Sequence, residues 1–167
     1  MSLVHGFDSG PYSAGLSLNK VSDNDYFRDL SSRLNFVSQS YLPREGFFTY
    51  KGNFWDSGTY IATARSQSFQ TLQLPNAPLP VQYARLPQVT VAATRPDYHG
   101  TDLTLNSEFV DFHHPSQVRG LRTMINPSIA LPILTPGAYV TPKIGLHATT
   151  YSLTNRSEEH TSELQSL

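Results

Sequence analysis

The chain has 167 residues with 12 basic and 13 acidic side chains, a net charge of -1, 38% hydrophobic residues, nine Tyr, nine Phe and no Cys. That length suits one domain, and the near-zero charge excludes an electrostatic case for nucleic acid. The lack of cysteine excludes a disulfide frame or a thiolate metal site. No run approaches the ~18 apolar residues of a membrane helix, and Met1 to Gly10 lacks the basic start and apolar run of a signal peptide.

Taken in order, the chain alternates apolar and polar residues in blocks, the period-two pattern of half-buried strands. Tyr12 to Val21 puts Ala14, Leu16 and Leu18 on one face and Ser13, Ser17 and Asn19 on the other. Ser22 to about Ser38 is polar and irregular, a loop. A second strand is predicted from about Gln39 to Phe54, with a bulge at Pro43-Arg44-Glu45-Gly46, because Pro and Gly inside a strand mark one. Asp56-Ser57-Gly58 is a turn. Thr59 to Leu72 sets Tyr60, Ala62 and Ala64 against Thr63, Arg65 and Gln67.

Gln73 to Leu86, with Pro75, Pro78 and Pro80, reads as a long loop. Pro87 to Arg95 follows as a strand with Val89, Val91 and Ala93 on its apolar face, turned by Asp97 to Gly100. Thr101 to Phe112 opposes Leu103, Leu105 and Phe109 to Thr104, Asn106 and Glu108. His113 to Val118 is a medium loop.

Arg119 to Tyr151 is the most regular stretch: two strands joined at Leu134-Thr135-Pro136-Gly137. The first collects Leu121, Thr123, Ile125, Ile129 and Leu131 on one face and Arg122, Asn126 and Ser128 on the other. The second sets Val140, Ile144, Leu146 and Ala148 against Thr141, Lys143, Gly145 and His147. Each is long enough to cross a bilayer at a tilt, which takes roughly 9–11 residues.

Connections therefore run long, short, long, short, medium, short. Antiparallel up-and-down transmembrane β-barrels alternate in this way, with short turns on the periplasmic side and longer loops outside; a soluble β-sandwich has no reason to. The fold expected is all-β, about seven strands of such a barrel, open when taken alone. The candidate lumen-facing residues are Arg65, Glu108, Arg122, Asn126, Lys143 and His147, and the candidate lipid-facing ones Leu103, Leu105, Ile125, Ile129, Ile144 and Leu146. If the Phe112–Gly120 hairpin closes around Ser116, Glu108 and Arg122 become diagonal neighbours, a solvated pair worth roughly 0–1 kcal/mol.

Other groupings carry less. His113-His114 would point to opposite faces of a strand and has no further ligand nearby, so an exposed loop pair is expected. Asp23, Asp25 and Asp29 miss the calcium-loop spacing and read as an Asx-rich turn. No Gly-x-Ser-x-Gly occurs and no Ser, His and acid trio stands out. Neither a metal nor a cofactor is expected. Pro127, Pro132, Pro136 and Pro142 are expected at bulges and turn corners.

Two stretches carry a family resemblance. INPSIALPILTPGAYVTPKIGLHATTYSL, from Ile125, resembles the mid-barrel signature of the outer-membrane lipopolysaccharide-assembly proteins, LptD (organic solvent tolerance proteins). LSLNKVSDNDYFRDL is similar to that family's strand followed by an Asp/Asn-rich loop and a Tyr-Phe-x-Asp-Leu segment. The resemblance spans most of Pro11 to Asn155. It implies a translocon of the Gram-negative outer membrane, not an enzyme, that inserts lipopolysaccharide into the outer leaflet. It also implies a plug lipoprotein partner, LptE, and a periplasmic lipopolysaccharide bridge reached through an N-terminal domain missing from this chain. The family's lateral gate lies between terminal barrel strands, so the four prolines are not matched to it. Alternatives of other classes are a barrel enzyme acting on membrane lipids and a porin-like channel.

An exported protein without a leader reads as a fragment. The expected division is residues 1–155 as a partial barrel domain and residues 156–167 as a non-native tail. RSEEHTSELQS, Arg156 to Ser166, has no apolar face and matches the translation of a common sequencing-library adapter.

Overall fold

The computed structural model describes residues 2–22, 41–73 and 78–154. The Asp23, Asp25 and Asp29 loop and the segment read as an adapter-derived tail lie outside them. The described residues form only strands: β1 (Ser2–Ser9), β2 (Tyr12–Asn19), β3 (Tyr41–Phe54), β4 (Gly58–Thr71), β5 (Ala84–Tyr98), β6 (Thr101–His113), β7 (Arg119–Ala130), β8 (Ile133–Thr135), β9 (Ala138–Val140), β10 (Lys143–Gly145) and β11 (Ala148–Thr154). β1 to β7 pair in chain order, each antiparallel to the next. β10 and β11 both pair with β7, end to end, and make an interrupted eighth row. β8 and β9 form a separate hairpin.

Residues directly opposite in an antiparallel pair share a face, so the registers carry the facing from strand to strand. Ala62 meets Val91, Val91 meets Ser107, Ser107 meets Ile125 and Ile125 meets Ala148 along one apolar line. On the other face Thr49 meets Thr63, Thr63 meets Thr90 and Thr90 meets Glu108. The predicted β6–β7 register holds: the hairpin is centred on Ser116 and sets Asn106 against Asn126.

β1 is a strand that the sequence reading left out. Val4 and His5 spoil its alternation, and pairing with β2 rather than its own pattern holds it straight. Gly10 closes that hairpin at φ 56°, the left-handed value that a two-residue II′ turn needs at its first position. β1 also extends the alternation of connections by one more short turn.

The bulges fall elsewhere than expected. β3 runs unbroken past Pro43 and Gly46 against β4 and past Gly46 against β2, with Glu45 opposite Ser17 and Gln67. β5 is the bulged strand. Arg85 and Gln88 pair with Phe112 and Val110, so Leu86 and Pro87 together oppose one residue of β6. This lets β5 start at Ala84, three residues before the predicted Pro87, because a bulge tolerates the missing proline N–H. A second bulge, Pro96-Asp97, lies between Arg95 opposite Leu103 and Tyr98 opposite Thr101. Asp97 sits at φ 52° and its N–H donates to Asp102 Oδ1 at 3.0 Å.

The last row shows what its prolines do, and it is not bulging. β10 and β11 keep one register with β7, so nothing has been inserted. Leu146 N–H donates to Pro127 O at 3.0 Å and Leu131 N–H to Pro142 O at 2.9 Å. Neither proline has an N–H to return, so each removes one rung and splits the row. Only Pro136 sits in a turn, with Gly137, and the closing pair is Thr135 and Ala138, one residue later than predicted.

The sheet has no second layer among the described residues. Of the described residues, only Val21, Leu42, Leu72 and Val110 are buried apolar side chains, while Ile125, Ile129, Ile144, Leu146, Phe48 and Trp55 are exposed. A soluble sandwich would bury one apolar face against another sheet. This sheet leaves it bare.

Candidate membrane-facing surface and inner wall

The apolar face gathers every residue expected there. Leu103 stands opposite Ile129 and Ile129 opposite Ile144; Leu105 stands opposite Pro127, and Ile125 opposite Ala148. Leu146 bonds to Pro127 and belongs to the same row. Between them lies an open groove of about 410 Å³, lined by Leu103, Pro127, Ile129, Ile144 and Leu146 with Thr104, Ser128 and Gly145 at its floor. It exists because Pro127, on this face opposite Leu105, supplies little bulk between larger neighbours.

At the short-turn end this face carries aromatic rings. Tyr12 lies 6.0 Å from Phe48 and 5.1 Å from Tyr50, Tyr50 lies 5.7 Å from Tyr60, and Phe54 lies 6.3 Å from Tyr60 and 5.2 Å from Trp55. Tyr60 reaches both neighbours by laying its ring over Gly52, where a Cβ would come within 2.5 Å of it. Arg95 follows, its guanidinium carbon 4.5 Å from the Trp55 ring centre and 4.3 Å from that of Tyr98. Trp55 is 73% exposed. The sequence reading missed this band, because its rings come from three hairpins and meet only once the register is fixed.

The polar face is tied together by side chains. Thr49 and Thr63 bond at 2.9 Å and Thr59 and Thr94 at 3.1 Å; Gln67 donates to Glu45 at 3.1 Å and Gln88 to Glu108 at 2.6 Å. Arg122 donates to the second oxygen of Glu108, the diagonal pair expected from the sequence, and its guanidinium lies 5.4 Å from the Phe112 ring. The pair is closer than a merely solvated one: the Glu108 side chain is 14% exposed and that of Arg122 34%. Arg65 lines a small polar recess of about 190 Å³ with Thr63, Gln88 and Thr90. Asn126 faces Asn106, Lys143 stands opposite Ala130, and Gly145 opposite Ser128. His147, between β10 and β11, bonds Thr149 at 3.2 Å.

His113 and His114 part company, and neither matches the expected exposed loop pair: His113 is half-buried at the end of β6, and His114 is buried. His113 contacts Asp111 at 2.8 Å. His114 is 6% exposed. Its Nδ1 accepts from Ser116 N–H at 3.2 Å and Gln117 N–H at 2.9 Å, and its Nε2 lies 3.2 Å from Val81 O. Those contacts require the proton on Nε2, donated to the carbonyl. Burial comes from Tyr83, whose ring centre lies 4.8 Å away, on a loop remote in sequence. No group of three or more His, Cys, Asp or Glu able to hold a metal occurs among the described residues.

The family model for LPS transport system D, LptD, matches residues 3–166. An LPS-assembly protein LptD from Nitrosospira multiformis is 43% identical over 144 residues, covering 85% of this chain and 16% of the relative. The LPS-assembly protein LptD of Azoarcus sp. is 43% identical over 142 residues, 83% of this chain and 17% of that one. That of Nitrosomonas europaea is 34% identical over 154 residues, 92% of this chain and 21% of the relative. The chain thus spans about a fifth or less of these relatives' length. With the family model matched along nearly its whole length, the chain belongs to the LPS transport system D family.

Proposed function

We propose that this segment is part of the wall of an outer-membrane β-barrel that passes lipopolysaccharide to the outer leaflet. The observation that carries the reading is the two-faced sheet, with an apolar side that no described residue covers and a polar side laced with hydrogen bonds. Lipid-facing and lumen-facing residues alternate in this way in barrels, with aromatic girdles at the interfaces. The apolar face, including Leu103, Leu105, Ile125, Ile129, Ile144 and Leu146, meets lipid. The polar face, including Arg65, Glu108, Arg122, Asn126, Lys143 and His147, lines the lumen and offers sugar and phosphate groups a hydrated wall. The short turns after β1, β3 and β5 lie on the periplasmic side. The complete protein works as a translocon rather than an enzyme, with a plug lipoprotein, LptE, inside it and a periplasmic bridge delivering lipopolysaccharide. What supports these partners is family membership alone.

The test places a photo-reactive residue at position 126 or 129 of the complete protein in living cells. Lipopolysaccharide adducts are expected from position 126 only while lipopolysaccharide is being delivered, and phospholipid adducts from position 129 throughout. Transport-dependent adducts from 129 and none from 126 would overturn the reading. Residues 156–167 are proposed to be adapter-derived, although the family match runs to residue 166. Finding their codons in genomic DNA of the source would refute that.

A further inference from the structure

Arg95 is an anomaly on the apolar face. It stands opposite Leu103, in line with Ile129 and Ile144, where a charge is normally excluded. Among the described residues it makes no ion pair and no hydrogen bond, and its buried Nε has no partner. Asp102, the nearby acid of β6, is in register with Ala130 on the other face and accepts from Asp97 N–H. The two rings that hold Arg95 are there by a special arrangement. Without the Pro96-Asp97 bulge, Tyr98 would fall on the polar face; the inserted residue brings it back beside Arg95. Trp55 comes from the β3–β4 turn at φ 50°, a left-handed value uncommon for a bulky residue.

We propose that Arg95 is a receptor for the phosphate of a membrane glycerophospholipid, with an acyl chain lying in the adjacent groove. A guanidinium offers five N–H donors in a fork that matches phosphate oxygens. Stacking on aromatic rings holds the cation in place without neutralising it. The groove begins at Leu103, the residue directly across from Arg95, and continues over Ile129, Ile144 and Leu146. The depth also fits. From Arg95 the same face continues as Ala93, Val91 and Val89, about 20 Å along the strand. At a barrel tilt of roughly 40° that is about 15 Å across the membrane, half of a hydrocarbon core about 30 Å thick. Arg95 therefore stands at headgroup level with one leaflet of apolar wall beyond it. The short-turn side is periplasmic in such barrels, so the occupant is a phospholipid of the inner leaflet.

The proposal rests on the apolar face meeting lipid. Its test uses the complete protein, purified in detergent and titrated with dioleoyl-phosphatidylglycerol or with dioleoylglycerol, which lacks the phosphate, with retained lipid counted by native mass spectrometry. Arg95→Gln is expected to lose phosphatidylglycerol retention about tenfold at that site, a loss of the size that one charge-assisted hydrogen-bonded contact represents. Arg95→Lys should fall between, and dioleoylglycerol retention should be the same in all three. Equal phosphatidylglycerol retention by wild type and Arg95→Gln overturns the proposal, as does displacement of the lipid by millimolar inorganic phosphate, which would mean a free-anion site. If Arg95→Gln does not fold, a photo-reactive residue at position 101, opposite Tyr98 on the same face, decides in otherwise unaltered protein. Preferential capture of phosphatidylglycerol supports the proposal, and equal capture of the two lipids overturns it. Capture of neither lipid would instead overturn the membrane reading itself.

Discussion

Asn106 and Asn126 face each other directly across the β6–β7 pair, at the middle of the polar face. The residues beside them, Leu105 and Ile125, project to the other side, so adjacent substitutions sample opposite environments. In the complete protein, Ile125→Arg is expected to cost roughly 2–4 kcal/mol if the position lies near the bilayer midplane. Asn126→Asp should stay within about 0.5 kcal/mol. Denaturant unfolding in detergent, followed by heat-modifiable gel mobility, measures both. A damaging Asn126→Asp beside a silent Ile125→Arg would exchange the two faces.

The Glu108–Arg122 pair is expected to couple by about 1 kcal/mol in a double-mutant cycle, the upper end for a pair that water still reaches. Glu108→Ala should cost more than Arg122→Ala, because Glu108 accepts from both Gln88 and Arg122. With Arg122 removed, Gln88 still serves the carboxylate. Equal single-mutant losses with no coupling would mean that the contact contributes nothing.

His114→Phe keeps the ring against Tyr83 but removes the acceptor for two backbone N–H groups. Leaving such groups unsatisfied costs about 1–3 kcal/mol. The effect should be local: faster hydrogen exchange at Ser116 and Gln117, with β1 to β4 unchanged. Unchanged exchange at those two amides would show that the loop does not depend on the imidazole.

Pro127→Ala restores an N–H opposite Leu146. The regained rung is worth about 0.5–1.5 kcal/mol, offset in part by the extra freedom that alanine gives the unfolded chain. Slower exchange of backbone amides from Ile144 to Ala148 is the expected readout. No change there would mean that the split of the last row has another cause.

What could be read from the sequence, and what could not, follows from the range of the determining contacts. Facing in β6, β7 and the last row was legible because Leu103, Leu105, Ile125, Ile129 and Ile144 alternate without interruption. β1 was not, since Val4 and His5 break the pattern and its order comes from β2. A proline is an ambiguous bulge signal: Pro43 with Gly46 lies in an unbroken strand, while Pro87 and Pro96, read as a strand start and the edge of a turn, sit in bulges, and only cross-strand register separates them. The Trp55–Arg95–Tyr98 contact and the burial of His114 needed residues from different hairpins or loops, which no local pattern shows.

The two bulges of β5 also bear on how chain length can vary in this family. In an ordinary strand, losing one residue turns every later side chain to the wrong face. At Leu86-Pro87 or Pro96-Asp97 the loss would only flatten a bulge: Gln88 would still meet Val110 and Tyr98 would still meet Thr101. Single-residue deletions in relatives should therefore gather at these two points in β5 and be rare along β6 and β7, where each would exchange lipid-facing for water-facing residues.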